Sequence, residues 1–241
     1  MKRLLLILLA LCIAAPCYAE GNIILIKKKA AAGGGNTFAI LQSGSSAQGN
    51  APHTIQLTNV QTGSLLVAWA EWWYYDTAPS ISDGTTTFTA GTRGSVDAGG
   101  AYYYGQFFYL PSSVASGTVT YTLTVSGDPS GTAFRIYEVS HTSSVSLDVQ
   151  NIGGGQSTAP VSGSVNTTTG GITFGGVMSL SGPTFSSPLI AGVAADGAIG
   201  GGADQYSMMS YKMLSSSTSG VTAAFTFSAS NYWVCNVISF K

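Results

Sequence analysis

Thr118-Val119-Thr120-Tyr121-Thr122-Leu123-Thr124-Val125 alternates one apolar residue with one threonine across eight positions. A period of two places Val119, Tyr121, Leu123 and Val125 on one face of a β-strand and the threonines on the other, so one face is buried and one is wet. Outward from it the same pattern recurs over Phe38–Gln42, Thr54–Leu57, Ser64–Trp73, Thr86–Thr89, Tyr102–Leu110, Phe134–Ser140, Ser146–Gln150, Gly171–Leu180, Leu189–Ala194, Tyr206–Leu214, Val221–Phe227 and Tyr232–Phe240. Glycine, asparagine, aspartate and proline separate the runs, and no segment carries a long helical period. About a dozen short strands predict an all-β fold, a two-sheet antiparallel β-sandwich of jelly-roll or Ig-like type.

Composition agrees with that reading. Of 241 residues, 8% are charged and 45% hydrophobic, where soluble domains usually carry about 25% charge. The 32 serines, 25 threonines and 31 glycines take the place of charge on the wet faces. A formal net charge of −1, with no basic stripe, argues against nucleic acid as partner, whose phosphates need clustered Lys and Arg. Two histidines and no clustered cysteines supply no His/Cys metal site, and no cofactor motif is present.

The first residues read as an address. Lys2 and Arg3 precede the apolar run Leu4–Ala15, then Pro16 and the small-residue site Cys17-Tyr18-Ala19 before Glu20, the order of a Sec signal peptide over 1–19. The run falls short of the ~20 apolar residues of a transmembrane helix. Cleavage after Ala19 removes Cys12 and Cys17, leaves Cys235 as a lone buried thiol, and leaves 7 basic against 10 acidic residues. Residues 20–36, with Lys27-Lys28-Lys29 and Ala30-Ala31-Ala32-Gly33-Gly34-Gly35, read as a low-complexity linker. Residues 37–241 are expected to form a single β-sandwich domain. The best internal break is Asn151–Thr169, and it is expected to be a long connection or to hold a further strand; no repeat is evident between the two sides of it.

Candidate chemistry is sparse. Glu71 in Trp69-Ala70-Glu71-Trp72-Trp73 and Glu138 in Ile136-Tyr137-Glu138-Val139-Ser140 would make a glycosidase pair if their strands faced one cleft. His53 and His141 lack a nucleophile elbow, and Asp83-Gly84 and Asp196-Gly197 are turn dipeptides without the further acids of a calcium loop. The aromatics say more. Trp69 and Trp73 share a face with Leu65 and Val67 and read as core, while Trp72 and Tyr74 share the other face with Leu66, Ala68 and Ala70. An exposed strip of Trp72, Tyr74, Tyr75, Tyr102 and Tyr104 would stack on flat sugar rings.

At these residues a resemblance enters. Thr62-Gly63-Ser64-Leu65-Leu66-Val67, Ile81-Ser82-Asp83-Gly84-Thr85-Thr86-Thr87-Phe88, and Ile136-Tyr137-Glu138-Val139-Ser140 with Leu147-Asp148 resemble a group of secreted β-sandwich modules of unknown function on bacterial surface and phage proteins. Their middle turn carries a Gly-Asn that this chain lacks. The resemblance implies surface display or ligand binding and no catalytic residues. The expected function is therefore a secreted or cell-surface, non-catalytic binding or adhesion module for a polysaccharide or other cell-surface ligand. The alternatives are a structural subunit of a surface or virion assembly, self-associating through charge-poor sheet edges, and a β-sandwich glycan hydrolase.

Overall fold

The structure, a computed structural model, describes residues 36–73, 77, 79–126, 131–181, 184–200 and 206–241. The predicted signal peptide and all but Asn36 of the predicted linker lie outside the described residues, as do Tyr74 and Tyr75. Sixteen strands and no helix make up the described chain: β1 (Phe38–Ser45), β2 (His53–Val60), β3 (Leu65–Trp73), β4 (Ser80–Ser82), β5 (Thr89–Asp97), β6 (Tyr102–Leu110), β7 (Gly117–Thr124), β8 (Ala133–His141), β9 (Leu147–Ser157), β10 (Gly171–Ser179), β11 (Phe185–Ile190), β12 (Val193–Ala194), β13 (Gly197–Gly200), β14 (Ser207–Leu214), β15 (Ala223–Phe227) and β16 (Asn231–Phe240). All pairings are antiparallel.

The all-β antiparallel expectation holds, but the layers number four instead of two. The sheets run β2-β7-β4, β1-β8-β3-β6-β5, β13-β14-β10-β16-β9 and β12-β11-β15. One apolar cluster fills each gap between successive sheets. Leu57, Tyr121 and Leu123 meet Leu66, Ala68 and Trp72 in the first; Leu65, Val67 and Trp69 meet Phe174, Val234 and Ile238 in the second; Val177 and Cys235 meet Phe225 and Phe227 in the third. The position of a strand in this stack explains its sequence. β7 lies in an outer layer, so Val119, Tyr121 and Leu123 are buried while Thr118, Thr120 and Thr124 are exposed. β3 is central and covered on both faces, so it reads as a near-continuous apolar run.

The strand orders contain a duplication that inspection of the sequence missed. In residues 38–141, β1 pairs β8, β8 pairs β3, β3 pairs β6 and β6 pairs β5. In residues 147–240, β9 pairs β16, β16 pairs β10, β10 pairs β14 and β14 pairs β13, the same chain order in the same places. The outer sheets correspond too: β7 lies between β2 and β4, and β15 lies between β11 and residues 161–165, which bridge to it at Val161↔Ala224 and to the residues leading into it at Val165↔Val221. The stretch Asn151–Thr169 therefore holds the end of β9 and this bridging segment, and the repeats join across 142–146.

The two five-stranded sheets pack face to face. The first strand of each repeat lies beside the fifth of the other, β9 beside β5 and β1 beside β13. Gln150 on β9 accepts the Thr92 backbone N–H at 2.9 Å, and Asn236 Nδ2 on β16 donates to the Thr92 carbonyl at 3.1 Å. Trp69 sits at the centre, and a Cβ at either Gly105 or Gly176 would overlap its ring. Glycine at these two positions makes room for the largest side chain of the shared core.

Candidate functional site

Three aromatic rings form a graded stack at one end of the first repeat. β3 pairs Trp72 with Tyr104 on β6, and the two rings stack at 5.2 Å with an interplanar angle of 16°. Tyr104 stacks in turn on Tyr102 at 6.3 Å and 20°. Alternation along β6 puts Tyr102 and Tyr104 on one face and Tyr103 on the other. Exposure rises along the stack: Trp72 is 0% exposed, Tyr104 5% and Tyr102 46%.

This gradient revises the predicted aromatic strip. Trp72 and Tyr104 belong to the apolar cluster under the outer sheet β2-β7-β4, so neither ring offers a face to solvent. Among the described members of the predicted set, Tyr102 alone is exposed. Its neighbours on β5 are polar: Asp97 pairs with Tyr102 and Ser95 with Tyr104, both exposed. The Arg93 guanidinium carbon lies 5.0 Å from the centre of the Tyr104 ring, within cation–π range. Asp97 accepts the Gly100 N–H at 2.7 Å and shapes the turn that leads into Tyr102. Gln106 donates to the Gly91 carbonyl at 2.6 Å, across the register shift of β5 between Ala90 and Arg93. The sequence does not place Arg93, Ser95 or Asp97 in the aromatic site, because only the strand pairing brings them beside the tyrosines.

The two glutamates do not share a cleft. Although β3 and β8 are neighbours, Glu71 is in step with Trp69 and points between the five-stranded sheets, whereas Glu138 pairs with Leu66 and points under the outer sheet. A two-carboxylate hydrolase built on this pair is thereby ruled out. Glu138 instead accepts the Gln61 N–H at 2.7 Å and a bond from the Gln42 side chain. Glu71 lies 3.9 Å from Arg135 Nη1, with both side chains buried. Burial pushes the Glu71 carboxyl up to about 7, against the opposing pull of Arg135 and of the Ser207 hydroxyl.

The remaining candidates settle into structural roles. His141 has Nδ1 2.6 Å from the Ser143 carbonyl and Nε2 2.7 Å from that of Gly63, tying together two turns around a polar cavity of about 300 Å³ lined by 61–64 and 140–143. His53 contacts Thr132 Oγ1 at 2.7 Å, and its burial lowers its pKa. Asp83 caps its own turn through the Thr85 and Thr86 N–H groups at 2.9 and 2.6 Å. Cys235 is fully buried and unpaired, and burial pushes its thiol up, so it behaves as a small apolar residue. Among the described residues no three His, Cys, Asp or Glu side chains gather in metal-binding reach, and no helix is long and apolar enough to cross a membrane. Comparisons with protein-family models, curated proteins and solved structures found no match.

Proposed function

We propose that the chain is a secreted, non-catalytic binding module that holds a polysaccharide or similar cell-surface polymer against Tyr102, and that each repeat is a jelly roll. The strand order β1-β8-β3-β6 facing β2-β7-β4 supports the second part, since two interleaved Greek keys give that order. The observation that carries the first is the stack itself. Tyr102 presents a ring that is 46% exposed yet held in place by two buried rings behind it, which removes most of the ordering cost that a free tyrosine would meet on stacking with a sugar. Ser95, Asp97 and Arg93 beside it supply hydrogen-bonding groups for the polar edge of a sugar.

The test is depletion of the protein from solution by a panel of insoluble polysaccharides, wild type against Tyr102→Ala. Retention by at least one polymer, lost in the variant with thermal stability unchanged, supports the reading. Wild type left in solution by every polymer, with assembly that grows with concentration in light scattering, favours the structural-subunit alternative.

A further inference from the structure

The inward face of β3 carries a second unusual feature, independent of the binding reading. Glu71 and Arg135 of the first repeat and Ser207 of the second meet between the five-stranded sheets, with Arg135 hydrogen-bonded to the Ser207 hydroxyl. All three side chains are buried. A Cβ on Gly200 would collide with the Arg135 guanidinium, so glycine at the end of β13 leaves the space that this side chain fills. Among the described residues, Arg135 is the charged group that faces the Glu71 carboxyl, at 3.9 Å. Glu71 faces Gly105 across β6 and Ala133 across β8; Met178 lines β10. Tyr103 on β6, Tyr137 on β8 and Tyr211 on β14 face the same gap between the sheets. Among the described residues, Arg135 and Ser207 are the groups that act on the carboxyl. No donor lies within hydrogen-bonding geometry of either carboxylate oxygen, so both act at longer range.

An ionised carboxylate held this way is costly even beside Arg135, because it is out of water with no hydrogen bond to either oxygen, and the desolvation outweighs the attraction of the guanidinium. At matched register the second repeat has Gly176 for Glu71 and Ile238 for Arg135, counting back from Leu110 and Leu214 along the ladders. The pairing scheme therefore closes without the pair.

We propose that Glu71 is a proton switch for the junction between the repeats: with its proton on, the carboxyl is neutral and the sheets stay closed at this end, and loss of the proton to solvent leaves a buried, incompletely compensated charge that loosens the link from Arg135 on β8 to Ser207 on β14. The segment that responds is the start of β14, where the neighbouring Tyr206 ring packs edge-on to Trp73 at 5.4 Å.

Hydrogen exchange of the full chain tests this at the Ser207, Met208 and Met209 amides, as protection factors corrected for intrinsic rate between about pH 5.5 and 8. In wild type, protection is expected to fall at least about tenfold, which corresponds to 1.4 kcal/mol of opening free energy. In Glu71→Gln it stays flat. Should Glu71→Gln fail to fold, Ser207→Ala serves instead, and loss of its hydroxyl moves the wild-type midpoint to higher pH. The chain has only three glutamates, Glu20, Glu71 and Glu138, so carbon-detected carboxyl signals identify the titrating group directly. Protection that does not change with pH in wild type, a parallel fall in Glu71→Gln, or a Glu71 signal that titrates with the ordinary carboxylates overturns the proposal.

Discussion

The two repeats share one pairing scheme and fill it differently. Where the first stacks Trp72 on Tyr104, the second places Val177 opposite Met208, six residues before the leucine that ends each strand. Where the first has Arg93 the second has Ala198, and where the first buries Glu71 the second has Gly176. Since Val177 and Met208 close the second repeat as members of a buried cluster, the backbone arrangement does not require aromatic rings there. The ring stack and the buried Glu71 beside Arg135 are additions to the fold, both at the same end of β3. They are the natural places to look for function.

The most damaging change to this arrangement is predicted at what the repeats share. Trp69→Ala empties the space above Gly105 and Gly176 and is expected to cost about 3–5 kcal/mol, read by chemical denaturation. A cost under ~1 kcal/mol would mean that the repeats do not depend on one core. Next comes the buried Glu71 carboxyl beside Arg135, which the second repeat lacks. The folded chain binds the Glu71 proton more tightly than the unfolded chain, so stability is greatest below the ordinary value of 4.5 and falls as pH rises to about 7. Thermal unfolding across that range should show the decline in wild type and lose this component in Glu71→Gln. A smaller effect is expected from rebuilding the first repeat in the image of the second. The double variant Trp72→Val/Tyr104→Met should fold with a loss of about 2 kcal/mol and should lose polymer retention. If it keeps wild-type retention, the buried rings do not hold Tyr102 in its working position. The smallest stability change belongs to Tyr102→Ala, within about 0.5 kcal/mol, since that ring is half in solvent.

How much of this the sequence carried depends on layer. β7 was legible because one face is wet, and β3 because both faces are covered. β5 was mostly missed, since Gly91 and Gly94 break its pattern. Their reason is tertiary: a Cβ at Gly94 would lie 2.5 Å from Val234 and one at Gly91 would lie 2.6 Å from Gln150 Oε1, both side chains of the second repeat. The duplication was hidden by the very positions that differ, Trp72 against Val177 and Glu71 against Gly176. One signal was within reach. Ser116-Gly117 leads into β7, which Gly117 begins, and Ser219-Gly220 shortly precedes the matching strand β15, with glycine φ of 80° and 67°, a left-handed turn that favours glycine.

The aromatic cluster was visible as composition, and so was the division of β3 into two faces. Which ring reaches solvent was not, because burial of Trp72 and Tyr104 depends on an outer sheet assembled from β2, β4 and β7. The separation of Glu71 from Glu138 was equally out of reach without the register of β3 against β8. Parity along one strand assigns faces only once the pairing is known.

The central claim is that a ring locked from behind is the contact surface of the first repeat. The most direct measurement is the aromatic side-chain and backbone-amide NMR spectra of the full chain during titration with soluble fragments of whichever polysaccharide depletes it. The account predicts saturable shifts of the Tyr102 ring signals, with smaller shifts at Arg93 and Ser95 and none at Val177 or Met208. Saturable binding that leaves the Tyr102 signals unmoved would contradict it.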